Sequence, residues 1–344
     1  MTLMASDKRP AELDKFVDLA QPRLGAAVIE ATDDFFAPKE RLIDPHPPVF
    51  IDDKYDDHGK WMDGWESRRK RTPGHDHCVI RLCPGHIHCI EINTAFFTGN
   101  FPPFASIEGC ETADDPDETT EWHEILPKSP LQGDAQHFFD ISDDRRWTHL
   151  KLHIYPDGGI ARLRVHGIVH CDWSAMPSDE WVDLAAMQHG GRAIRCNNMH
   201  YGHMSNLIAP GHGVNMGDGW ETRRRREPGN DWVILALGHP GRIQRVDVDT
   251  AYFKGNYPAS CSLHGALLPC IDDQAIEENA DYWVPLLERV ELGPDAMHSF
   301  PIETSADGGT TAAGELPRVS HVRLDIFPDG GVSRLRLFGL WSHE

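Results

Sequence analysis

The strongest constraint on this chain is that it is written twice. Asp63-Gly64-Trp65-Glu66-Ser67-Arg68-Arg69-Lys70-Arg71 returns as Asp218-Gly219-Trp220-Glu221-Thr222-Arg223-Arg224-Arg225-Arg226. A second segment, Asn93-Thr94-Ala95-Phe96-Phe97-Thr98-Gly99-Asn100, returns as Asp249-Thr250-Ala251-Tyr252-Phe253-Lys254-Gly255-Asn256, and Pro156-Asp157-Gly158-Gly159 returns as Pro328-Asp329-Gly330-Gly331. Upstream, residues 25–43 and 190–208 run gap-free with Phe36 matched to Tyr201, after which copy 1 carries about ten extra residues. One long unit duplicated, rather than a short-period array, predicts two similar domains. The expected limits are an N-terminal tail at 1–15, a first repeat at 16–170, a short polar linker at 171–180 and a second repeat at 181–344.

Each unit reads as strands. Leu150, Leu152 and Ile154, like Val322, Leu324 and Ile326, alternate with polar residues at the period of two. The Pro-Asp-Gly-Gly segments that follow have turn chemistry, so each unit is expected to close with a hairpin, at 150–167 and 322–339. Other apolar segments, such as 79–82 and 233–237, are short and punctuated by Gly and Pro. Long 3.6-period stretches are few, which points to an all-β sandwich or jelly roll in each copy. The acidic segments 111–124 and 271–281 read as long loops, the second with room for a short helix.

Composition narrows the function classes. A formal net charge of −21, with basic runs only in the doubled element, argues against a nucleic-acid partner. There is no apolar run of membrane-spanning length and no signal-peptide core near the N-terminus, so the expectation is a cytoplasmic protein with no membrane partner. The eight cysteines lack CxxC spacing and mostly lack counterparts between copies, which reads as reduced thiols packed as small residues.

The doubled Asp-Gly-Trp-Glu-Ser/Thr-Arg-Arg element, the two Asn/Asp-Thr-Ala segments and the doubled Pro-Asp-Gly-Gly together resemble the allantoicase family over residues 16–341. The resemblance implies two tandem jelly-roll β-sandwich domains, galactose-binding-like, from an internal duplication. It also implies hydrolysis of allantoate to ureidoglycolate and urea in purine (allantoin) degradation, and a homo-oligomer.

The residues suit that chemistry. Allantoate carries one carboxylate and two ureido groups, so a site needs a cation, amide-recognising groups and acid–base help for C–N cleavage. Arg68, Arg69, Arg223 and Arg224, matched between copies, are the candidate carboxylate clamp, because a guanidinium meets a carboxylate through two parallel hydrogen bonds. Glu66 and Glu221, or Asp63 and Asp218, could act on protons. Beside so many cations these acids are expected to stay ionised, favouring base over acid. A general acid is then more readily histidine, and His137 and His298 are the pair read at matched positions. Structural roles stand beside each of these: ion pairing, turn formation and half-buried packing.

Loops supply the remaining candidates. In copy 1 these are Asp33, Asp34, Lys39 and Glu40, with Asn198 and His200 as copy 2 counterparts. Lys254 and Asp249 form another polar set, while Asn100 and Asn256, each after a glycine, read mainly as loop shapers. Trp65 and Trp220 either wall a site or fill the core. No cofactor is expected. A divalent metal stays open only in copy 1, where His75/His77 and His86/His88 would lie on one face of successive strands. The rival function is a non-catalytic tandem binding module for a small polar or sugar ligand, since fold alone does not separate the two.

Overall fold

The computed structural model describes residues 8–268, 276, 283–302 and 316–341. The chain divides between His170 and Cys171 into two compact units with the same strand order. Each is an all-β jelly-roll sandwich of strands and short 3-10 turns. Segment 111–122 is a loop, whereas 271–281 lies outside the described residues except Ile276. Stretch 171–180 packs as part of the second unit: its 3-10 turn Trp173–Ala175 sets Trp173 against Trp341 and His239. Leu13, near the N-terminus, is buried against Cys89 and Phe138.

The first unit is built on one strand, Asp76–Asn93, that belongs to both layers. Its first half pairs with Ala27–Ala31 and Arg146–Tyr155, its second half with Arg162–Val169 and Gln136–Asp140. The change of layer falls at Pro84-Gly85, where a proline can interrupt the ladder at a bend. Gly85 is required there, since a Cβ would sit 2.5 Å from Ile168 O. Asp231–Asp249 makes the same corner in the second unit at Pro240-Gly241. Residues facing inward from both layers, among them Ile80, Ile90, Ile92, Leu150, Leu152, Ile154, Leu163 and Val165, are buried with no exposure. Such a core contributes roughly 25 cal/mol per Å² of apolar surface removed from water.

The expected closing hairpins do not form. Arg146–Tyr155 and Arg162–Val169 are indeed strands, but each pairs with Asp76–Asn93 rather than with the other. The alternation that marks a strand is silent about its partner. The intervening segment 156–161 pins both ends of the bent strand: Asp76 N–H donates to Pro156 O at 3.1 Å, and Ala161 N–H donates to Asn93 O at 2.8 Å. In between, Gly159 and Ile160 pair with Glu66 and Trp65, as Gly331 and Val332 pair with Glu221 and Trp220. The turn-like motif is thus the seat of the Asp-Gly-Trp-Glu element.

Candidate active site

Three duplicated motifs meet at Glu66. The two-residue strand Trp65–Glu66 lies between Ala37 and Gly159. Beneath it Trp65 is fully buried, its Nε1 donating to Asp33 O at 2.9 Å; Trp220 does the same to Asn198 O at 2.8 Å. Asn100 Nδ2 donates to Glu66 Oε1 at 2.7 Å while its own carbonyl accepts from Gly159 N–H at 2.7 Å. Gly159 tolerates no side chain, because a Cβ would fall 2.0 Å from the Phe97 ring. The second unit repeats this, with Asn256 Nδ2 donating to Glu221 Oε1 at 2.5 Å and its carbonyl holding Gly331 N–H.

Glu66 is turned away from the cations that follow it. Burial lifts its carboxyl above the ordinary carboxylate range, opposed only in part by the Asn100 hydrogen bond. The expected pairing of Glu66 with the arginines is corrected: its side-chain partner is Asn100, and burial shifts it upward rather than cations shifting it downward.

Glu66 lines a cavity of about 540 Å³ with Asn100, Thr98 and Lys60 on its polar side and Phe36, Phe50 and Phe96 on its apolar side. Phe36 also borders a groove of about 510 Å³ lined by Arg68, Arg69, Arg71 and Asp33. In the second unit, Glu221 and Asn256 share a cavity of about 690 Å³ with Arg224, and Tyr201 and Arg224 also border the neighbouring arginine-lined groove of about 390 Å³. Phe36 and Tyr201, at matched positions, thus border both concavities of their unit, but only in the first are all the arginines confined to the far one.

In the first run alternate cations, Arg68 and Lys70, are committed; in the second, among the described residues, Arg225 is. Asp33 accepts from Arg68 N–H at 2.8 Å and from Arg68 Nε at 2.7 Å. Burial works against Asp33's charge, but the Arg68 hydrogen bonds outweigh it and hold the carboxyl below the usual range. Lys70 and Arg225 pair with Asp76 and Asp231, at 2.5 Å and 2.6 Å, and their backbone N–H groups are held by Asp157 and Asp329 of the Pro-Asp-Gly-Gly motifs. Among the described residues, the side chains of Arg69, Arg71, Arg223 and Arg224 have no ion-pair partner. A guanidinium that is exposed, unpaired and beside a concavity is available to an anion.

Comparison with known proteins fits this arrangement. The allantoicase repeat model matches residues 17–170 and again residues 182–342. The chain belongs to the allantoicase family. Probable allantoicase 1 of Burkholderia mallei (strain ATCC 23344) is 53% identical over 98% of this chain and 99% of its own. The probable allantoicase of Pseudomonas syringae pv. syringae (strain B728a) is 53% identical over 96% and 97%. The crystal structure of the Saccharomyces cerevisiae allantoicase superposes with a TM-score of 0.77 at 36% identity, covering 94% of this chain and 92% of that one.

Not every candidate reaches a cavity of this allantoicase fold. His137 is buried, with Nε2 accepting from Gln132 N–H at 2.9 Å and Nδ1 facing Ile92 O at 3.0 Å. His298 is held likewise by Gly293 N–H and Val248 O. Both rings brace loops and have no nitrogen left for a ligand, which corrects their reading as general acids. A second matched pair, His149 and His321, was not read from the sequence; their Nδ1 atoms lie 2.9 Å from Thr148 Oγ1 and Ser320 Oγ, and neither lines a cavity described above. Asp63 and Asp218 are committed to buried Arg162 and Arg334, at 2.8 Å and 2.7 Å, so they hold the loop base rather than a ligand. Asp34, Lys39 and Glu40 form an ion-pair group outside the cavity linings, with Lys39 Nζ 2.8 Å from Glu40. His200 meets the exposed Tyr201 ring edge-on, and Lys254, 80% exposed, reaches toward Asp295.

The histidine pairs do not lie on successive strands. His77, His86 and His88 share the strand Asp76–Asn93, and they diverge. His75 hydrogen-bonds His153, His86 meets Asp144 O, and His88 stacks on Phe16. Among the described residues, no three His, Cys, Asp or Glu side chains are grouped to hold a metal ion. The seven described cysteines are free and five are buried, while Cys270 lies outside the described residues. Among the described residues, no helix is long and apolar enough to cross a membrane.

Proposed function

We propose that this chain hydrolyses allantoate to ureidoglycolate and urea, with Glu66 as the proton donor of the first unit. Family membership supports the activity. The observation that carries the role is the buried Glu66 carboxyl, lifted by desolvation and aimed by Asn100 into a cavity of ligand size.

A ureido nitrogen leaves poorly unless protonated. Glu66 in its protonated form, favoured by burial, gives its proton to that nitrogen as the C–N bond breaks, and urea departs. Water supplies hydroxyl to the central carbon, and its remaining proton returns to Glu66, so atoms and charge balance. Unpaired arginines draw the anionic substrate, and in the second unit Arg224 holds its carboxylate, a reading supported by its sharing one cavity with Glu221.

Free thiols support a cytoplasmic setting, and oligomeric assembly belongs to the same reading. The test is release of urea and ureidoglycolate by purified protein given allantoate, with and without added divalent metal. Absence of both products in both conditions overturns the proposal.

A further inference from the structure

The two units anchor their variable loops alike but fill them differently. Val49 N–H donates to Asp63 Oδ2 at 2.8 Å, and Val214 N–H donates to Asp218 Oδ2 at 3.2 Å. Between these anchors stand thirteen residues in the first unit, 50–62, against three in the second, 215–217. The longer loop forms the hairpin of Tyr55–Asp56 with Gly59–Lys60 and lays Phe50, His58 and Lys60 along the Glu66 cavity. It is held down by stacking: Phe50 on Phe96 at 5.6 Å, and His58 on Phe35 at 4.3 Å, with the Arg68 guanidinium 5.1 Å from the Phe35 ring.

Lys60 is the consequence of that loop. Its Nζ donates to Ile51 O at 3.0 Å and to Asp52 O, and sits 4.7 Å from the Phe50 ring centre. An ammonium has three donors, so two are committed to holding it in place and one remains, together with the charge. No arginine lines this cavity among the described residues, whereas Arg224 lines the cavity of Glu221. Two carboxyl groups line it as well, Glu66 and Asp134, the latter with Oδ1 already accepting from Phe96 N–H at 2.8 Å. One cation with two carboxyl groups between aromatic walls matches a ligand having one carboxylate and several N–H groups.

We propose that Lys60 is the carboxylate-binding residue of the first unit, supplied by its inserted loop in place of the arginine that serves the second. This rests on the reading of allantoate as substrate and adds the residue that selects its charged end. Lysine offers a compact point charge where Arg224 offers a planar fork, so the two cavities hold the same carboxylate in different geometry.

The experiment compares wild type, Lys60→Gln, which keeps hydrogen-bond donors without charge, and Lys60→Arg. Turnover of allantoate, its binding by calorimetry, and the unfolding midpoint are measured for each. The expected result for Lys60→Gln is a rise in KM of about tenfold or more with kcat within about twofold, an unchanged midpoint, and substantial recovery in Lys60→Arg. An unchanged KM in Lys60→Gln, or a loss that tracks a lowered midpoint and is not recovered by arginine, overturns the assignment. Binding that weakens in Lys60→Gln without any turnover in wild type would overturn the activity and support the anchor. No binding by wild type would overturn both.

Discussion

Asn100 and Glu66 form a hydrogen-bonded dyad at 2.7 Å in which the amide both orients the carboxyl and tempers its burial. The same dyad, Asn256 with Glu221, recurs in the second unit. In each, the asparagine carbonyl is bonded to the glycine that pairs with the glutamate, so the dyad is braced through the backbone as well.

Removing the Asn100 amide removes the interaction that lowers the Glu66 carboxyl. In Asn100→Ala the carboxyl rises further, and a step needing protonated Glu66 persists to higher pH. The expected outcome is an alkaline limb of the kcat/KM profile displaced upward, with kcat reduced because the acid is no longer aimed. A limb that stays in place or moves down speaks against Glu66 as the acid.

Glu66→Gln is expected to lower kcat by about 10²–10⁴ while preserving the fold. It also gives a stability test. Because the folded carboxyl lies above its unfolded value, the folded state binds the proton more tightly there. That contribution is full below the unfolded pKa and is lost as pH rises through the folded one. Urea unfolding of both proteins should show the advantage of Glu66→Gln growing as pH rises through that window and levelling off above it.

Arg69 and Arg224 occupy matched places but different surroundings. Arg224 shares a cavity with Glu221, whereas Arg69 lies beyond Phe36 from Glu66. For Arg69→Ala the expected change is a modest, salt-sensitive loss in kcat/KM, the mark of long-range attraction. For Arg224→Ala it is a loss of about tenfold or more in allantoate affinity at the second unit, read as a change in calorimetric stoichiometry or in one of two binding phases.

Asp63 supports the fold rather than the substrate. Its carboxylate and the Arg162 guanidinium are both nearly buried, so Asp63→Ala leaves an unpaired interior charge and should cost about 3–5 kcal/mol in denaturant unfolding. Loss of activity without loss of stability would return Asp63 to the list of ligand-binding residues.

Period-two alternation and the doubled motifs made the all-β duplicated architecture legible before any coordinates. Strand pairing was not, because Leu150–Leu152–Ile154 looks the same whether it meets the next strand or, as here, Ile80, Cys78 and Asp76 far earlier in the chain. Repetition also marked Glu66 and the arginines as a set. It could not show that a short strand would turn Glu66 away from those arginines, since that depends on Gly159 arriving from far along the chain. Asn100 read as a loop shaper because Gly-Asn is turn chemistry; its backbone has that role and its side chain has another. Matched histidines misled for a related reason: duplication preserves loop braces as faithfully as it preserves reactive groups. Lys60 left a visible sign, since it lies where copy 1 exceeds copy 2, and unmatched length on a matched frame marks where two copies diverge.

The Asp63–Arg162 and Asp218–Arg334 pairs make the mouth of each sandwich a socket whose rim does not depend on what is plugged into it. Thirteen residues and three residues leave from and return to the same two hydrogen-bonded positions. Loop length can therefore change without resetting strand register. One chain then carries two versions of a single receptacle, and exchanging their inserts becomes a way to move a recognition surface while leaving the framework alone.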